Sequence, residues 1–222
     1  MSAILFDLYG TLVDICTNEN TNSFWKRFCS KTKKYKAYDY KFLKRLYLDK
    51  CSELEKQFEE IEISDVFSSL FEVDKDTIEK IALLFRRLSR KYYKLYPGVK
   101  KLLTELKKNH KIYLLSNAQA SFTIPELKSL GIYDLFDGIA ISSDYRIKKP
   151  NEDFYKQAIE NFNITGDIWM VGNDYQCDII PAKNLNLTSI FIKSNITPKE
   201  QFKFDGLNGF DCKKILKTIN RC

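Results

Sequence analysis

The chain has 222 residues, of which 44% are hydrophobic, 14% aromatic and 29% charged, and its formal net charge is +7. This composition is typical of a globular protein and excludes a disordered chain, a collagen-like repeat and a disulfide miniprotein. The excess charge is local, because residues 26–50 carry ten basic and two acidic side chains whereas residues 51–80 carry three basic and ten acidic. That pattern is typical of a solvated helical surface, so we predict no nucleic-acid partner.

The sequence carries no signal for a membrane or an oxidising compartment. No apolar run approaches the ~20 residues that a membrane helix needs, and the first residues lack the basic region of a signal peptide. The six cysteines form no CxxC pair and have no histidine partner at metal spacing, which argues against a disulfide framework and a zinc site. We expect a cytoplasmic protein without a membrane partner, either a monomer or a homodimer.

Five short apolar segments have the pattern of buried strands. They span residues 3–8, 111–115, 138–141, 167–171 and 188–193. Turn residues and mostly helical spacing separate them, and strands that alternate with helices form parallel sheets covered on both faces. The sequence therefore predicts an α/β fold with a doubly wound parallel sheet.

The segment from Ile15 to Tyr96 interrupts this alternation. It contains no strand-like run, and its apolar residues recur at spacings of three and four, which predicts a small helical bundle inserted after the first strand. Pro97-Gly98 marks the return to the core, with Pro97 in the first turn of a helix over residues 98–108. We predict a core domain of residues 1–15 and 96–222 and a helical domain of residues 16–95.

Three polar segments follow predicted strands, where parallel sheets bind ligands, and a fourth, Lys148–Pro150, precedes a later helix. The four segments are Asp7–Asp14, Ser116-Asn117, Lys148–Pro150 and Gly172–Asp178. A carboxylate that attacks a phosphate is repelled unless cations neutralise both, and further carboxylates can hold Mg²⁺ for that purpose. Lysine and hydroxyl groups would bind the remaining phosphate oxygens. The combination suits transfer of a negatively charged group.

The segments DLYGTLVD, LLSN, KKP and GNDYQCD resemble, in this order, the four motifs of the haloacid dehalogenase superfamily. The resemblance spans nearly the whole chain. It implies a Rossmann-like core with a helical cap inserted after the first motif. It also implies that Asp7 is a nucleophile that forms a covalent aspartyl intermediate, which water then hydrolyses.

The resemblance assigns a role to each motif residue. Thr11 and Ser116 would contact the transferred group, and Lys149 would balance its charge. Mg²⁺ would bind Asp7, the Tyr9 carbonyl and the acidic fourth motif; Asn173 stands where the family more often has its first Asp, so either Asn173 or Asp174 is the direct ligand there, with Asp178 completing the set. The predicted substrate-binding residues are Tyr9, Gly10, Asn117, Trp25 and Lys26.

Two features leave alternatives open. Most phosphatases of the superfamily carry a second Asp two residues after the nucleophile, and here that residue is Tyr9. The segment DLYGTL and the pair Trp25-Lys26 resemble the metal-free L-2-haloacid dehalogenases, although those enzymes have Arg after the Trp. The acidic pair Asp174 and Asp178 favours a Mg²⁺-dependent phosphatase of a small anionic substrate. A dehalogenase and a noncatalytic anion-binding protein are the alternatives.

Overall fold

The computed structural model describes residues 2–220 and contains eight strands and ten α-helices within that range. The strands are β1 (Ala3–Phe6), β2 (Val13–Thr17), β3 (Arg90–Leu95), β4 (Lys111–Ser116), β5 (Gly138–Ile141), β6 (Ile168–Gly172), β7 (Thr188–Lys193) and β8 (Leu207–Asn208). The helices are α1 (Asn22–Thr32), α2 (Tyr40–Leu54), α3 (Ile63–Leu70), α4 (Lys75–Ser89), α5 (Val99–Leu106), α6 (Ala120–Leu130), α7 (Ser142–Tyr145), α8 (Glu152–Asn161), α9 (Ile180–Asn184) and α10 (Cys212–Ile219).

Six of the strands form one parallel sheet in the order β5-β4-β1-β6-β7-β8. Alternate residues of β1 enter different cores, because successive side chains of a strand point to opposite faces. Ile4 and Phe6 pack in the core beneath α5 and α10, whereas Ala3 and Leu5 pack in the core beneath α8 and α9. The predicted α/β fold with a doubly wound, Rossmann-like sheet is therefore confirmed.

The five predicted strands lie within two residues of their expected bounds, and the short strand β8 was not predicted. The helix expected over residues 98–108 is α5. It begins at Val99, with Gly98 before it in the left-handed region at φ +89°, so Pro97 lies ahead of the first helical turn and not inside it. Glycine adopts this φ without the steric cost that a Cβ imposes.

The prediction that residues 15–96 contain no strand is wrong. Strands β2 and β3 pair as an antiparallel ribbon, in which Val13 lies opposite Leu95 and Thr17 opposite Arg90. Both strands are short, and β3 is largely exposed, with a polar sequence that carries no alternation of buried side chains. Strand β2 crosses the first predicted domain boundary and β3 ends at the second, and the division into two domains stays a prediction.

Helices α1 to α4, which span residues 22–89 and are called the helical insertion here, leave the sheet through this ribbon. They enclose an aromatic core of their own, in which the rings of Phe24, Phe28, Phe67 and Phe85 pack edge to face, stacked or tilted. Aromatic pairs in such arrangements contribute beyond the area they bury. Among the residues that the structure describes, Phe122 of α6 is the one residue from outside the helical insertion that is buried in this cluster.

Several polar contacts attach the helical insertion to the remainder of the protein, among them an ion pair between Asp65 Oδ2 and Arg146 Nη2 at 2.7 Å. Glu62 accepts a hydrogen bond from Ala120 N at 3.1 Å, at the start of α6. Near the other end of α6, Glu126 Oε1 contacts Arg86 of the insertion and Arg90 of β3, each at 2.8 Å. None of the helices in residues 2–220 has the length and hydropathy that crossing a lipid bilayer requires.

Candidate active site

Asp7 follows β1 directly and lies at the carboxyl edge of the sheet. Its Oδ2 accepts a hydrogen bond from Thr11 Oγ1 at 2.9 Å, and its Oδ1 contacts Lys149 Nζ at 2.9 Å. The loop turns sharply at Gly10, whose φ is +92°. A Cβ there would lie 2.4 Å from Asn173 Nδ2, so glycine is required both by the backbone conformation and by the close approach of Asn173.

Lys149 is buried between two carboxylates. Its Nζ contacts Asp178 Oδ1 at 2.7 Å and Leu115 O at 2.9 Å, in addition to Asp7. Burial opposes the charge of Lys149, but the two carboxylates outweigh it and raise its pKa above the usual value. Burial also raises the pKa of Asp178, against the opposing attraction of Lys149. A fixed ammonium group therefore lies beside the Asp7 carboxylate.

Ser116 and Asn117 end β4 at the same edge. The Ser116 hydroxyl is fully buried and, within residues 2–220, has no hydrogen-bond partner. Such a hydroxyl is costly unless a ligand completes it. The Asn117 side chain accepts a hydrogen bond from Lys149 N at 2.8 Å and donates to Lys149 O at 2.7 Å. Asn117 therefore fixes the backbone of the lysine as well as lining the cavity.

The three fourth-motif residues have different surroundings. Asn173 lies against Thr11, whose hydroxyl is 3.2 Å from its Oδ1. Asp174 Oδ1 accepts hydrogen bonds from Gln176 N and Cys177 N and from the side chain of Gln201. Asp178 accepts from Lys149 through one oxygen and from Asp174 N through the other. Asn173 is thus the member of this motif whose side chain meets the oxygens around Asp7.

These groups surround a cavity of about 230 Å³. Its walls are formed by Asp7, Tyr9, Asn117, Lys149, Asn173, Asp174, Cys177, Asp178, Ile196 and Pro198. Most of the predicted site residues are therefore brought together. Sequence reasoning missed Cys177, Ile196 and Pro198, although the segment after β7 lies at the same strand edge and the rule used for the other strands applies to it.

Trp25 and Lys26 do not line this cavity, and their role as substrate-binding residues stays a prediction. Trp25 is 1% exposed and fills the core of the helical insertion, where its indole N–H donates to Glu19 O at 2.8 Å. Lys26 lies on the surface of the insertion with its Nζ over the ring of Tyr40. An amphipathic helix buries one of two neighbouring residues and exposes the other, which explains both positions.

Tyr9 contributes to the cavity, but its hydroxyl points away from Asp7. That hydroxyl donates to Glu126 Oε2 at 2.6 Å, and the Arg86 guanidinium lies over the ring. Burial, and then the Glu126 carboxylate, raise the pKa of the Tyr9 hydroxyl well above its usual value. Glu126 was not predicted, because nothing in the local sequence of α6 indicates that it faces a residue 117 positions away.

Comparison with known proteins identifies the family. Residues 4–192 match the haloacid dehalogenase-like hydrolases, so the chain belongs to that family and is a hydrolase. The curated relatives include the glyceraldehyde 3-phosphate phosphatase of Methanothermobacter thermautotrophicus, 23% identical over 78% of this chain and 75% of that protein. Three further relatives match over 43–45% of their own length.

Two solved structures show the same fold. The 2-haloacid dehalogenase from Pseudomonas syringae pv. Tomato has a TM-score of 0.67 at 16% identity, covering 100% of this chain and 99% of that one. The haloacid dehalogenase-type phosphatase from Thermococcus onnurineus has a TM-score of 0.63 at 19% identity, covering 99% and 98%. At these identities the likeness shows a shared fold only, because one fold can carry different reactions.

Proposed function

We propose that this protein is a phosphatase of a small phosphorylated metabolite and that Asp7 is its nucleophile. The observation that carries the proposal is the Asp7 carboxylate, held at the cavity between the Thr11 hydroxyl and the buried Lys149 ammonium. The unpartnered Ser116 hydroxyl offers a further contact for a phosphate oxygen. The phosphatase names of two curated relatives support the same reaction class.

The reaction would proceed in two displacements. An Asp7 oxygen forms a bond to phosphorus while the ester P–O bond breaks, and the leaving oxygen takes the bonding electrons and a proton from solvent. Water then attacks phosphorus, the bond to Asp7 breaks, and phosphate leaves with the carboxylate restored. Lys149, Thr11 and Ser116 would stabilise the charge on the phosphoryl oxygens in both steps.

Mg²⁺ fits the oxygens around Asp7. In residues 2–220 no three His, Cys, Asp or Glu side chains cluster at metal-binding distances, so amide and carbonyl oxygens must supply part of any ligand set. The Asn173 amide can turn its nitrogen inward and donate to Tyr9 O at 3.0 Å and to Asp7 Oδ2 at 3.1 Å. With its oxygen inward instead, the side-chain oxygens of Asn173 and Asp7 and the Tyr9 carbonyl oxygen lie together. The distances from the Asn173 oxygen to the other two are close to the ~2.9 Å between neighbouring oxygen ligands of octahedral Mg²⁺.

We therefore propose Asp7, the Tyr9 carbonyl and Asn173 as the direct Mg²⁺ ligands, with Asp174 and Asp178 outside them. When bound, the ion would neutralise charge between the nucleophile and the phosphoryl group.

Calorimetric titration with Mg²⁺ tests this assignment. Asn173→Asp should bind Mg²⁺ at least tenfold more tightly than wild type, because a carboxylate replaces a neutral amide. Asp174→Asn, which keeps a side chain that can cap the following turn, should bind it about as wild type does. Loss of binding in Asp174→Asn, with no gain in Asn173→Asp, would assign the ligand to Asp174 instead.

We also propose that residues 16–95 form a cap over a core of residues 1–15 and 96–222 and exclude water during the reaction. The attachment of the helical insertion at both ends of α6 supports this role. A cytoplasmic location is supported by the unpaired thiols among the described residues, which suit a reducing compartment. We expect a monomer or a homodimer.

The function is tested by screening phosphorylated metabolites with Mg²⁺ and with a chelator. Asp7→Asn should remove turnover while the fold persists, because an amide of nearly the same shape is a poor nucleophile. Asp137→Asn is the matched control, since it makes the same change at a partly buried aspartate outside the cavity and should leave kcat within twofold of wild type. Substantial turnover by Asp7→Asn would refute the covalent mechanism.

Hydrolysis of a carbon–halogen bond is the second candidate. It is favoured by Tyr9, which replaces the acid of most phosphatases and whose hydroxyl is bound to Glu126. In that reaction Asp7 would attack carbon and displace halide, and no proton donor is needed for the leaving group. Turnover of 2-chloropropionate in the same screen, with phosphate esters untouched, would establish it. Binding of phosphate esters without any turnover would indicate an anion-binding protein.

A further inference from the structure

The mouth of the cavity has an apolar side that the proposed chemistry does not use. Ile196 is 40% exposed, although it is a large aliphatic residue, and both Ile196 and Pro198 line the cavity. Both belong to the segment after β7, residues 194–198, called the rim loop here. Of the residues that the structure describes, none from the helical insertion lines this cavity.

The rim loop is rigidly held. The buried Thr197 hydroxyl donates to Asn173 O at 2.9 Å, and Ser194 N donates to Thr197 Oγ1 at 3.0 Å. Asn195 donates to Asp14 Oδ1 at 2.9 Å. The exposed isoleucine between these anchors is therefore positioned by buried hydrogen bonds and does not sit on a free loop.

Ile196 also lies against the nucleophile loop. Its Cγ1 is 2.7 Å from the position that a Cβ on Gly10 would occupy, which places it in van der Waals contact with that glycine. Ile196 and Pro198 thus place apolar, uncharged surface beside the charged side chains that line the same cavity.

We propose that Ile196, together with Pro198, determines substrate specificity by contacting the organic group of a phosphate monoester and selecting an apolar one. This inference rests on the proposed function. An apolar group gains affinity by leaving water for this surface, whereas a hydroxyl placed there loses its hydrogen bonds to water, and neither side chain replaces them. The substrate class is a small phosphate ester with hydrocarbon or an aromatic ring beside the phosphate.

Binding of two nonhydrolysable phosphonates separates this inference from the catalytic one. Phenylphosphonate and methylphosphonate carry the same anionic group and differ in the apolar group. By calorimetry, wild type should bind phenylphosphonate about tenfold more tightly than methylphosphonate, in keeping with the discrimination that apolar pockets achieve. Ile196→Ala should lose that preference and keep its affinity for methylphosphonate. Leu48→Ala, which trims another exposed aliphatic side chain on α2, should retain the preference.

The outcomes distinguish the two proposals. Equal affinities in wild type, or a preference that survives in Ile196→Ala, overturn the role of Ile196 and leave the phosphatase proposal to stand on turnover of phosphate esters. Failure of both phosphonates to bind also overturns the role of Ile196. If phosphate esters are not hydrolysed either, the proposed function falls as well.

Discussion

Tyr9 has two separate roles at the level of the residue. Its backbone carbonyl faces Asn173, and its hydroxyl is bound to Glu126 on the far side. A phenol held in this way, with a raised pKa, does not protonate a leaving group at neutral pH. A phosphatase with this site would depend on leaving groups that depart without a proton.

The substitution Tyr9→Phe tests this role. Wild type should hydrolyse p-nitrophenyl and acetyl phosphate faster than alkyl phosphates, by a margin on the order of the 10²–10⁴-fold that general acids supply. Tyr9→Phe should keep that ratio within about twofold and lower the free energy of unfolding by about 1–3 kcal/mol, because Glu126 loses a donor. Rates on a panel of esters and urea denaturation measure both effects. A selective loss on alkyl phosphates would make Tyr9 the acid.

Tyr9 also shows which features of the site the sequence could predict and which it could not. Asp7, Ser116 and Lys149 could be predicted because each follows a strand or precedes a helix at the ligand-binding edge of a parallel sheet. The direction of the Tyr9 side chain could not, since it depends on a glutamate in α6 that tertiary packing alone brings close. Trp25 lies outside the cavity for a related reason: the motif match did not take into account that its large apolar ring packs in the core of the helical insertion.

At the level of the elements, a single carboxylate helps to fix β5 next to β4. Asp137 accepts a hydrogen bond from Ile112 N at 2.9 Å, and its own N donates to Ile112 O. Partial burial opposes its ionisation, but that hydrogen bond and the nearby Lys111 and Lys107 outweigh burial and lower the pKa of Asp137. Its ionised form therefore stabilises the folded state.

The lowered pKa of Asp137 gives a pH dependence with a definite sign. The stabilisation is complete above the unfolded value, about 3.9, and is lost as the pH falls through the lower folded value. Asp137→Asn should therefore be less stable than wild type by about 1 kcal/mol at pH 7, and the difference should shrink towards pH 3. Urea denaturation across this range checks it, with the exposed Asp153→Asn as control. A difference that grows on acidification would contradict the assignment.

The elements also differ in how readily a sequence reveals them. Buried strands such as β1 and β4 are continuous apolar runs that are easily found. Strand β3 is exposed at several positions and follows α4 directly. The apolar residues of α4 recur at helical spacing, and Tyr92 of β3 fits the same spacing, so the sequence indicated one continuous helix. Its pairing with β2 joins residues 73 to 82 positions apart and was not detectable from either strand alone.

At the level of the whole molecule, the helical insertion and the sheet meet at α6. The first turn of this helix has no cap from its own N-cap residue, Gln119. Glu62 of the insertion accepts from Ala120 N and from the Ser121 hydroxyl, and it shares Ala120 N with the Ser143 hydroxyl, which lies 2.9 Å away. A carboxylate at a helix N-terminus also meets the favourable end of the helix dipole. Docking of the insertion and stability of α6 are therefore coupled.

Glu62→Gln tests this coupling. The amide keeps the shape and an acceptor but loses the charge, so we expect a loss of about 1 kcal/mol, which lowers Tm by about 2–4 °C in a protein of this size. Amide exchange at Ala120 and the following turn of α6 should accelerate about fivefold, with little change in β1, because opening is local. Glu72→Gln, on the exposed surface of the insertion, removes a charge whose one ion pair within residues 2–220 is with Lys36, and it should leave both measurements unchanged. Equal effects of the two substitutions, or unchanged exchange at Ala120, would show that Glu62 does not join the insertion to the sheet.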